Sequence, residues 1–366
     1  MKLLYNAIIY TLDPHKPLAS AMVIDGERIL ALGQVDQLRR EYPRLEGQDL
    51  GGKVIIPGLT DAHLHMEYTS LGLRKVDCET STRQECLRRV AERAQSAPPG
   101  EWVLGHGWNQ NSWPESFGSA ADLDAVAPDH PVYLTAKSLH AAWANSLALR
   151  LAGLSAATPD PAGGRLGRDA HGQLDGILFE SAMELVGAAV PEPSVEQVAQ
   201  AIRQALPYLW SVGLTGVHDF DRRRSFAALQ LLHQSGELRL RVLKSIPLED
   251  LPLAAELGLR SGFGDDYLRI GQVKAFMDGA LGPHTAAMFQ PFLDEPDNRG
   301  MLFMDAEELY EHGKVAVENG LPLAVHAIGD RANHEVLEAF ANLRQLERSR
   351  FPAQKPLRHR IEHVQL

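Results

Sequence analysis

The sequence has only two cysteines, Cys78 and Cys86, among its 366 residues. Two cysteines cannot build a disulfide framework, and this pair lacks the spacing of a zinc ribbon. Such sparse cysteine usage fits a reducing compartment, so we expect a cytoplasmic protein. The N-terminal segment MKLLYNAIIYTLDPHKP also lacks the cleavage site and the uninterrupted apolar run of a signal peptide.

Long apolar runs and an excess of positive charge are also missing. No stretch approaches the ~18 consecutive apolar residues of a bilayer-spanning helix, so we expect no membrane partner. Lys and Arg total 36 against 47 Asp and Glu, which gives a net charge of -11. Because phosphate binding requires a basic face, this balance argues against a nucleic-acid partner.

Three widespread catalytic motifs are absent as well. The sequence has no P-loop, no GxSxG nucleophile elbow and no HExxH helix. Nucleotide hydrolysis, serine-hydrolase chemistry and thermolysin-like proteolysis therefore lack support.

Two patterns divide the chain. Residues 1–55 alternate short β-type runs with turns such as Asp25-Gly26, which predicts a small strand-rich unit. From Asp61 onward, apolar runs alternate with helical patterns, which predicts α/β structure with a parallel sheet. The candidate barrel strands lie at 55–65, 213–220, 238–247, 270–280, 321–330 and 359–366.

An insertion at about 70–205 separates the first two barrel runs and contains four of the five tryptophans. Because barrels vary their function through loops at the carboxyl ends of strands, we expect the insertion to cover the barrel mouth. An independently packed subdomain without a substrate role is the alternative. His106, Trp108 and His140 are its candidate substrate contacts, with surface or packing roles as the alternative.

Four histidines carry the main chemical signal. His63 and His65 follow an apolar run, and residues two apart on a strand project from one face, where two imidazoles can bind one metal ion. His326 and His363 lie at the polar ends of two further apolar runs, where a barrel displays its active site. Ordinary core histidines are the alternative interpretation.

A lysine inside an apolar run adds to this signal. Lys274 lies in QVKAFMDGA, where a buried unpaired ammonium would be costly or would lose its proton. An ordinary ion-paired lysine is the alternative. We expect Asp278 to be a carboxylate that supports a ligand or a turn, rather than a ligand itself, and His218 and Asp219 to be candidates for orienting a ligand.

The motifs DAHLH, VKAFMDGALG, AVHAIGD and RIEHVQ, in this order, closely resemble the amidohydrolase superfamily. GHGWNQNSWPE, HAAWANSLAL and GILFESAM are similar to its branch that includes N-substituted formamide deformylases. The resemblance implies a TIM-like (β/α)8 barrel over 56–366, with about six strands in this chain. It also implies that residues 1–55 are the N-terminal part of a small β-sandwich domain.

The resemblance also implies a metal site. His63 and His65 would bind one divalent ion, and His326 and His363 a second, with Lys274 carboxylated on its amine as the bridge. Zinc is the default among several suitable metals, with one or two ions bound. Such a metal polarises a carbonyl and lowers the pKa of a bound water toward ~7.

The expected activity is hydrolysis of an amide or related C–N bond, of N-acyl or N-formyl type, in a small-molecule substrate. A deaminase or cyclic-amide hydrolase on the same site is one alternative, and a noncatalytic metal-binding relic or truncated product is another. A homodimer is the default assembly. The family carries its general-base Asp on the eighth barrel strand, so we expect that residue beyond Leu366 of a truncated chain.

Overall fold

The computed structural model describes residues 1–293 and 295–366. Two compact units are distinguished: Met1–Ala62 with Tyr208–Val217, and His63–Pro207 with His218–Leu366. Within the described ranges, no helix has both the length and the apolar character needed to cross a bilayer. The histidines and the lysine of the predicted metal site all fall in the second unit.

The first unit is built on a four-stranded sheet. Its elements are β1 (Lys2–Tyr10), β2 (Leu18–Asp25), β3 (Arg28–Gly33), α1 (Val35–Glu41) and β4 (Gly47–Ile55). The strand order is β3-β2-β1-β4, with β1 antiparallel to β2 and parallel to β4. The turn between β2 and β3 contains Gly26 at φ +55°, a conformation that glycine adopts without strain. The strands predicted within residues 1–55 are present, whereas the bounds of the domain and the β-sandwich stay predictions.

A mixed six-stranded sheet occupies most of the predicted insertion. After β5 (Leu59–Leu64) and α2 (Met66–Gly72), its elements are β6 (Val76–Asp77), α3 (Arg83–Ser96), β7 (Val103–Trp108), α4 (Ala120–Val126), β8 (Val132–Ala136), β9 (Ala141–Ala144), α5 (Ser146–Leu151), β10 (Gly164–Arg168), β11 (Leu174–Glu180) and α6 (Ala182–Gly187). The order is β10-β11-β9-β8-β7-β6. Its core includes Trp108, Trp113 and Trp143 together with Cys78 and Cys86. The insertion therefore has a hydrophobic core of its own.

A second six-stranded sheet forms the barrel. Its further elements are α7 (Val195–Ser211), β12 (Leu214–Asp219), α8 (Arg223–Gln234), β13 (Arg241–Pro247), α9 (Leu251–Glu256), β14 (Leu268–Phe276), α10 (Ala306–Glu318), β15 (Leu323–Ala327), α11 (Asp330–Arg350) and β16 (Arg360–His363). The order β16-β15-β14-β13-β12-β5 makes a nearly closed parallel barrel. The α/β class and the six predicted strands are confirmed, and the eight-stranded barrel remains a prediction.

The register of the last three strands aligns their carboxyl ends. Phe276 at the end of β14 pairs with His326 on β15, and Ala327 pairs with His363 on β16. Strand β14 is buried along most of its length, as expected for a parallel strand covered on both faces. The carboxyl ends of parallel strands meet at one rim, so this register brings Lys274, His326 and His363 to the same end of the barrel.

Candidate metal centre

Four imidazoles meet at the carboxyl rim of the barrel. His63 lies in β5, His65 follows that strand, His326 lies in β15 and His363 ends β16. Ring centroids are 4.8 Å apart for His63 and His363, and 4.5 Å for His326 and His363. The rings of His63 and His65 are 5.6 Å apart. Residues from three separate strands thus form one histidine cluster, as the sequence predicts.

Carboxylates engage two of these imidazoles. Nδ1 of His63 lies 2.6 Å from Oε2 of Glu362, and Nδ1 of His65 lies 2.9 Å from Oδ1 of Asp221. A carboxylate on one ring nitrogen fixes the tautomer and orientation of an imidazole, and metal-ligating histidines typically have such a partner. The chemistry of this donor set therefore fits a divalent metal.

Lys274 lies beside the histidine cluster without a hydrogen-bond partner for Nζ among residues 1–293 and 295–366. The residue is 4% exposed, and Nζ lies 5.2 Å and 4.5 Å from the ring centroids of Phe220 and Phe276. Burial lowers the pKa of the Lys274 amine to about 8, against the opposing charge of Glu362. A buried amine that is partly uncharged near neutral pH can react with carbon dioxide, which fits the predicted carboxylated lysine.

The pKa values of His326 and His363 are both lowered, which favours their neutral rings. Burial, followed by the nearby positive charges of His326, His63 and Lys274, lowers the pKa of His363 to about 4. Burial also lowers the pKa of His326. Metal ligation requires the neutral imidazole, so both shifts favour it.

Ligating geometry is not preformed. In the described part of the chain, no group of three or more His, Cys, Asp or Glu side chains is arranged to hold an ion as it stands. One reason lies at His326, where Nε2 is 2.7 Å from the carbonyl oxygen of Gly279. His326 would therefore have to reorient or coordinate through Nδ1.

Asp278 is a turn carboxylate, as expected. It is 1% exposed and accepts hydrogen bonds from the backbone amides of Ala287, Ile328 and Gly329 at 2.9, 3.0 and 2.8 Å. These three hydrogen bonds hold together the segments that follow β14 and β15.

The predicted substrate contacts lie in the insertion. Nδ1 of His106 is 2.8 Å from Oγ1 of Thr135, and the exposed His140 pairs with Glu180 at 2.9 Å. Trp108 is 1% exposed and donates from Nε1 to the carbonyl of Leu134, so it has a packing role in the sheet. Substrate contact by these residues stays a prediction.

Sequence reasoning missed Glu362 and Asp221, the two carboxylates that engage the histidine cluster. A signal existed for Glu362, because it is an acidic residue on a predicted barrel strand, directly before His363. Oδ1 of Asp219 accepts from the amide of Met66 at 2.9 Å, next to His65, and its role in orienting a ligand stays a prediction.

Comparisons with known proteins agree with this architecture. Residues 46–366 match the amidohydrolase family Amidohydro_3. The protein LONG AFTER FAR-RED 3 of Arabidopsis thaliana is 34% identical over 381 residues, which cover 99% of this chain and 64% of that protein. The N-substituted formamide deformylase of Arthrobacter pascens is 30% identical over 366 residues, covering 94% of this chain and 66% of the deformylase.

A solved structure gives the same result. The crystal structure of an uncharacterized metal-dependent hydrolase from Pyrococcus furiosus has a TM-score of 0.75 and 32% identity, covering 94% of this chain and 70% of that one. The chain spans about two thirds of the length of the curated relatives described above. The family match covers most of the sequence and includes the whole histidine cluster, and the chain therefore belongs to the amidohydrolase family.

Proposed function

We propose that this chain carries the metal-binding part of a hydrolase that cleaves an amide or related C–N bond in a small molecule. The observation that carries the proposal is the histidine cluster beside the buried Lys274 amine, which has no hydrogen-bond partner in the described ranges. A cluster of four imidazoles, two of them with carboxylate partners, suits zinc, and family membership supports hydrolytic chemistry.

The proposed ligand assignment uses two pairs. His63 and His65 hold one ion, and His326 and His363 hold a second. The uncharged amine of Lys274 would form a C–N bond to carbon dioxide and release a proton, and the resulting carbamate would supply oxygen ligands to the metal. A divalent metal bound here would polarise the substrate carbonyl and lower the pKa of water.

The protein groups around the ligands set the conditions for this chemistry. Glu362 and Asp221 accept from Nδ1 of His63 and His65 and so hold the two rings in one orientation. The ring of Phe220 stacks on His63 with centroids 4.1 Å apart, and it also faces Lys274. These apolar surfaces exclude water from the amine and keep its pKa low.

The substrate we propose is an N-formyl or N-acyl amide with an apolar substituent. A cavity of about 570 Å³ adjoins Lys274, and its lining includes the apolar Phe276, Phe303, Leu251 and Met304 beside the charged Arg222 and Glu249. The apolar part of this lining favours an apolar substituent, because contact with it removes apolar surface from water. The relative named as an N-substituted formamide deformylase supports the same choice of bond.

The first experiment determines the intact mass and metal content of the purified protein, followed by assays on N-formyl and N-acetyl derivatives of an aromatic and a charged amine. Bound zinc with faster hydrolysis of the aromatic substrates is the expected result. Bound zinc without hydrolysis, in a protein whose intact mass is well above 40.2 kDa, would favour the noncatalytic alternative, because a longer chain would include the expected general-base Asp. Absence of bound metal after zinc loading and dialysis would contradict the site.

A further inference from the structure

A second lysine lies inside a barrel strand. Lys244 in β13 is 2% exposed, and its Nζ lies 3.1 Å from Oδ2 of Asp219, which is 0% exposed. The same ammonium donates to the carbonyl oxygens of Ser245, at 3.1 Å, and of Asp221. Burying an ion pair costs desolvation free energy. The hydrolysis proposed above does not involve this pair, so its burial needs another explanation.

Both acids beside Lys244 hold the segment that carries His65. Asp219 accepts the amide of Met66 through Oδ1 at 2.9 Å. Asp221 accepts from Nδ1 of His65 at 2.9 Å through Oδ1, and from the amide of Glu67 at 2.6 Å through Oδ2. Lys244 therefore contacts the carboxylate of one acid and the backbone of the other.

We propose that Lys244 is a positioning residue, which fixes the imidazole of His65 through Asp219 and Asp221. The ammonium neutralises Asp219 and fastens the carbonyl of Asp221. Without it, the turn after β12 loses a charge-assisted hydrogen bond, and the carboxylate that orients His65 is free to shift. The consequence for zinc affinity rests on the proposed function, whereas the effect on the His65 ring does not.

The test compares variants by zinc affinity. Lys244→Met removes the ammonium but leaves a buried carboxylate without its cation, which can unfold the chain. The double variant Lys244→Met/Asp219→Asn removes both charges and is measured beside it. Val90→Ala, at a fully buried position in α3 within the insertion core, is the control for a general loss of stability. Chelator competition gives the zinc dissociation constant. We expect it to rise by about tenfold or more in both lysine variants and to stay at the wild-type value in Val90→Ala.

A second measurement does not need metal. Nitrogen-proton correlation spectra of the metal-free chain report which nitrogen of His65 carries the proton, with the signal assigned by its loss in His65→Gln. We expect the proton on Nδ1 in wild type and a mixed population in the double variant. Unchanged zinc affinity and an unchanged tautomer in the double variant would overturn the role of Lys244. If wild type bound no zinc, the proposed function would fail, and the tautomer measurement alone would decide the role of Lys244.

Discussion

Nδ1 of His63 lies 2.6 Å from Oε2 of Glu362, although 299 positions separate the two residues in the chain. His63 lies in β5 and Glu362 in β16, the two strands at opposite ends of the sheet order. This hydrogen bond therefore links the two ends of the barrel sheet. Burial alone would raise the pKa of Glu362, but the hydrogen bond from His63 and the charge of Arg360 lower it overall.

Glu362→Gln is expected to weaken zinc binding by about tenfold, since the variant keeps the shape of the side chain but loses the charge that supports the His63 imidazole. The measurement is zinc affinity by chelator competition. Glu180→Gln is the matched control, because Glu180 pairs with the exposed His140 at 2.9 Å. An equal effect of both variants would contradict a specific role for Glu362.

The double variant His63→Ala/His65→Ala is expected to lose at least one bound metal ion per chain, because it removes two imidazoles of the histidine cluster. Metal content by mass spectrometry after zinc loading and dialysis checks this. His15→Ala/His171→Ala, which removes two exposed histidines, should retain the wild-type content. Retention of all metal by the first double variant would refute the ligand assignment.

Lys274→Ala is expected to lose hydrolytic activity and to regain part of it when short-chain carboxylic acids are added, since their carboxylate can replace the proposed carbamate. Lys355→Ala, at an exposed lysine, serves as the control. Native mass spectrometry of metal-loaded wild type should show the added mass of one carbon dioxide, and Lys274→Ala should lack it. Full activity of Lys274→Ala would rule out a bridging role.

The barrel strands and the histidine cluster could be predicted because they depend on local patterns. Apolar runs ending in polar residues mark parallel strands, and the carboxyl ends of such strands converge at one rim. Lys274 was found by a further rule, that a lysine within an apolar run needs a reason. The same rule applied to LRVLKSIP would have found Lys244.

The remaining contacts depend on long-range pairing. Asp221 and His65 are 156 positions apart, and no local pattern predicts that they meet. Trp108 shows a different difficulty. Its position in the predicted insertion suggested substrate contact, whereas its burial depends on which face of β7 is covered, and that depends on the strands that pair with β7.

Gly118→Ala tests the core of the insertion. A Cβ atom at Gly118 would lie 2.2 Å from Cζ2 of Trp143, a ring that is fully buried. We expect a loss of about 1–3 kcal/mol in the free energy of unfolding from this overpacking, measured by urea denaturation. Gly72→Ala, where no heavy atom lies within 4 Å of the new Cβ, should be close to neutral. Equal stability of both variants would contradict the packing of Trp143.

The pH dependence of stability tests the burial of Lys274. Burial lowers the pKa of its amine to about 8 in the folded chain, whereas the pKa of an exposed lysine in the unfolded chain is about 10.4. Below pH 8 the folded state must therefore bury a charge, and this penalty, of about 2–3 kcal/mol, disappears as the pH rises from 8 toward 10.4.

Without metal and carbon dioxide, Lys274→Met should accordingly be more stable than wild type at pH 7, by up to about 3 kcal/mol, because the variant buries no charge. Urea denaturation at a series of pH values measures the difference, which should shrink as the pH approaches 10. Lys355→Met, at an exposed position, should show no such trend. A difference that stayed constant from pH 7 to pH 10 would mean that the amine is solvated in the folded chain, and the argument for its reaction with carbon dioxide would fail with it.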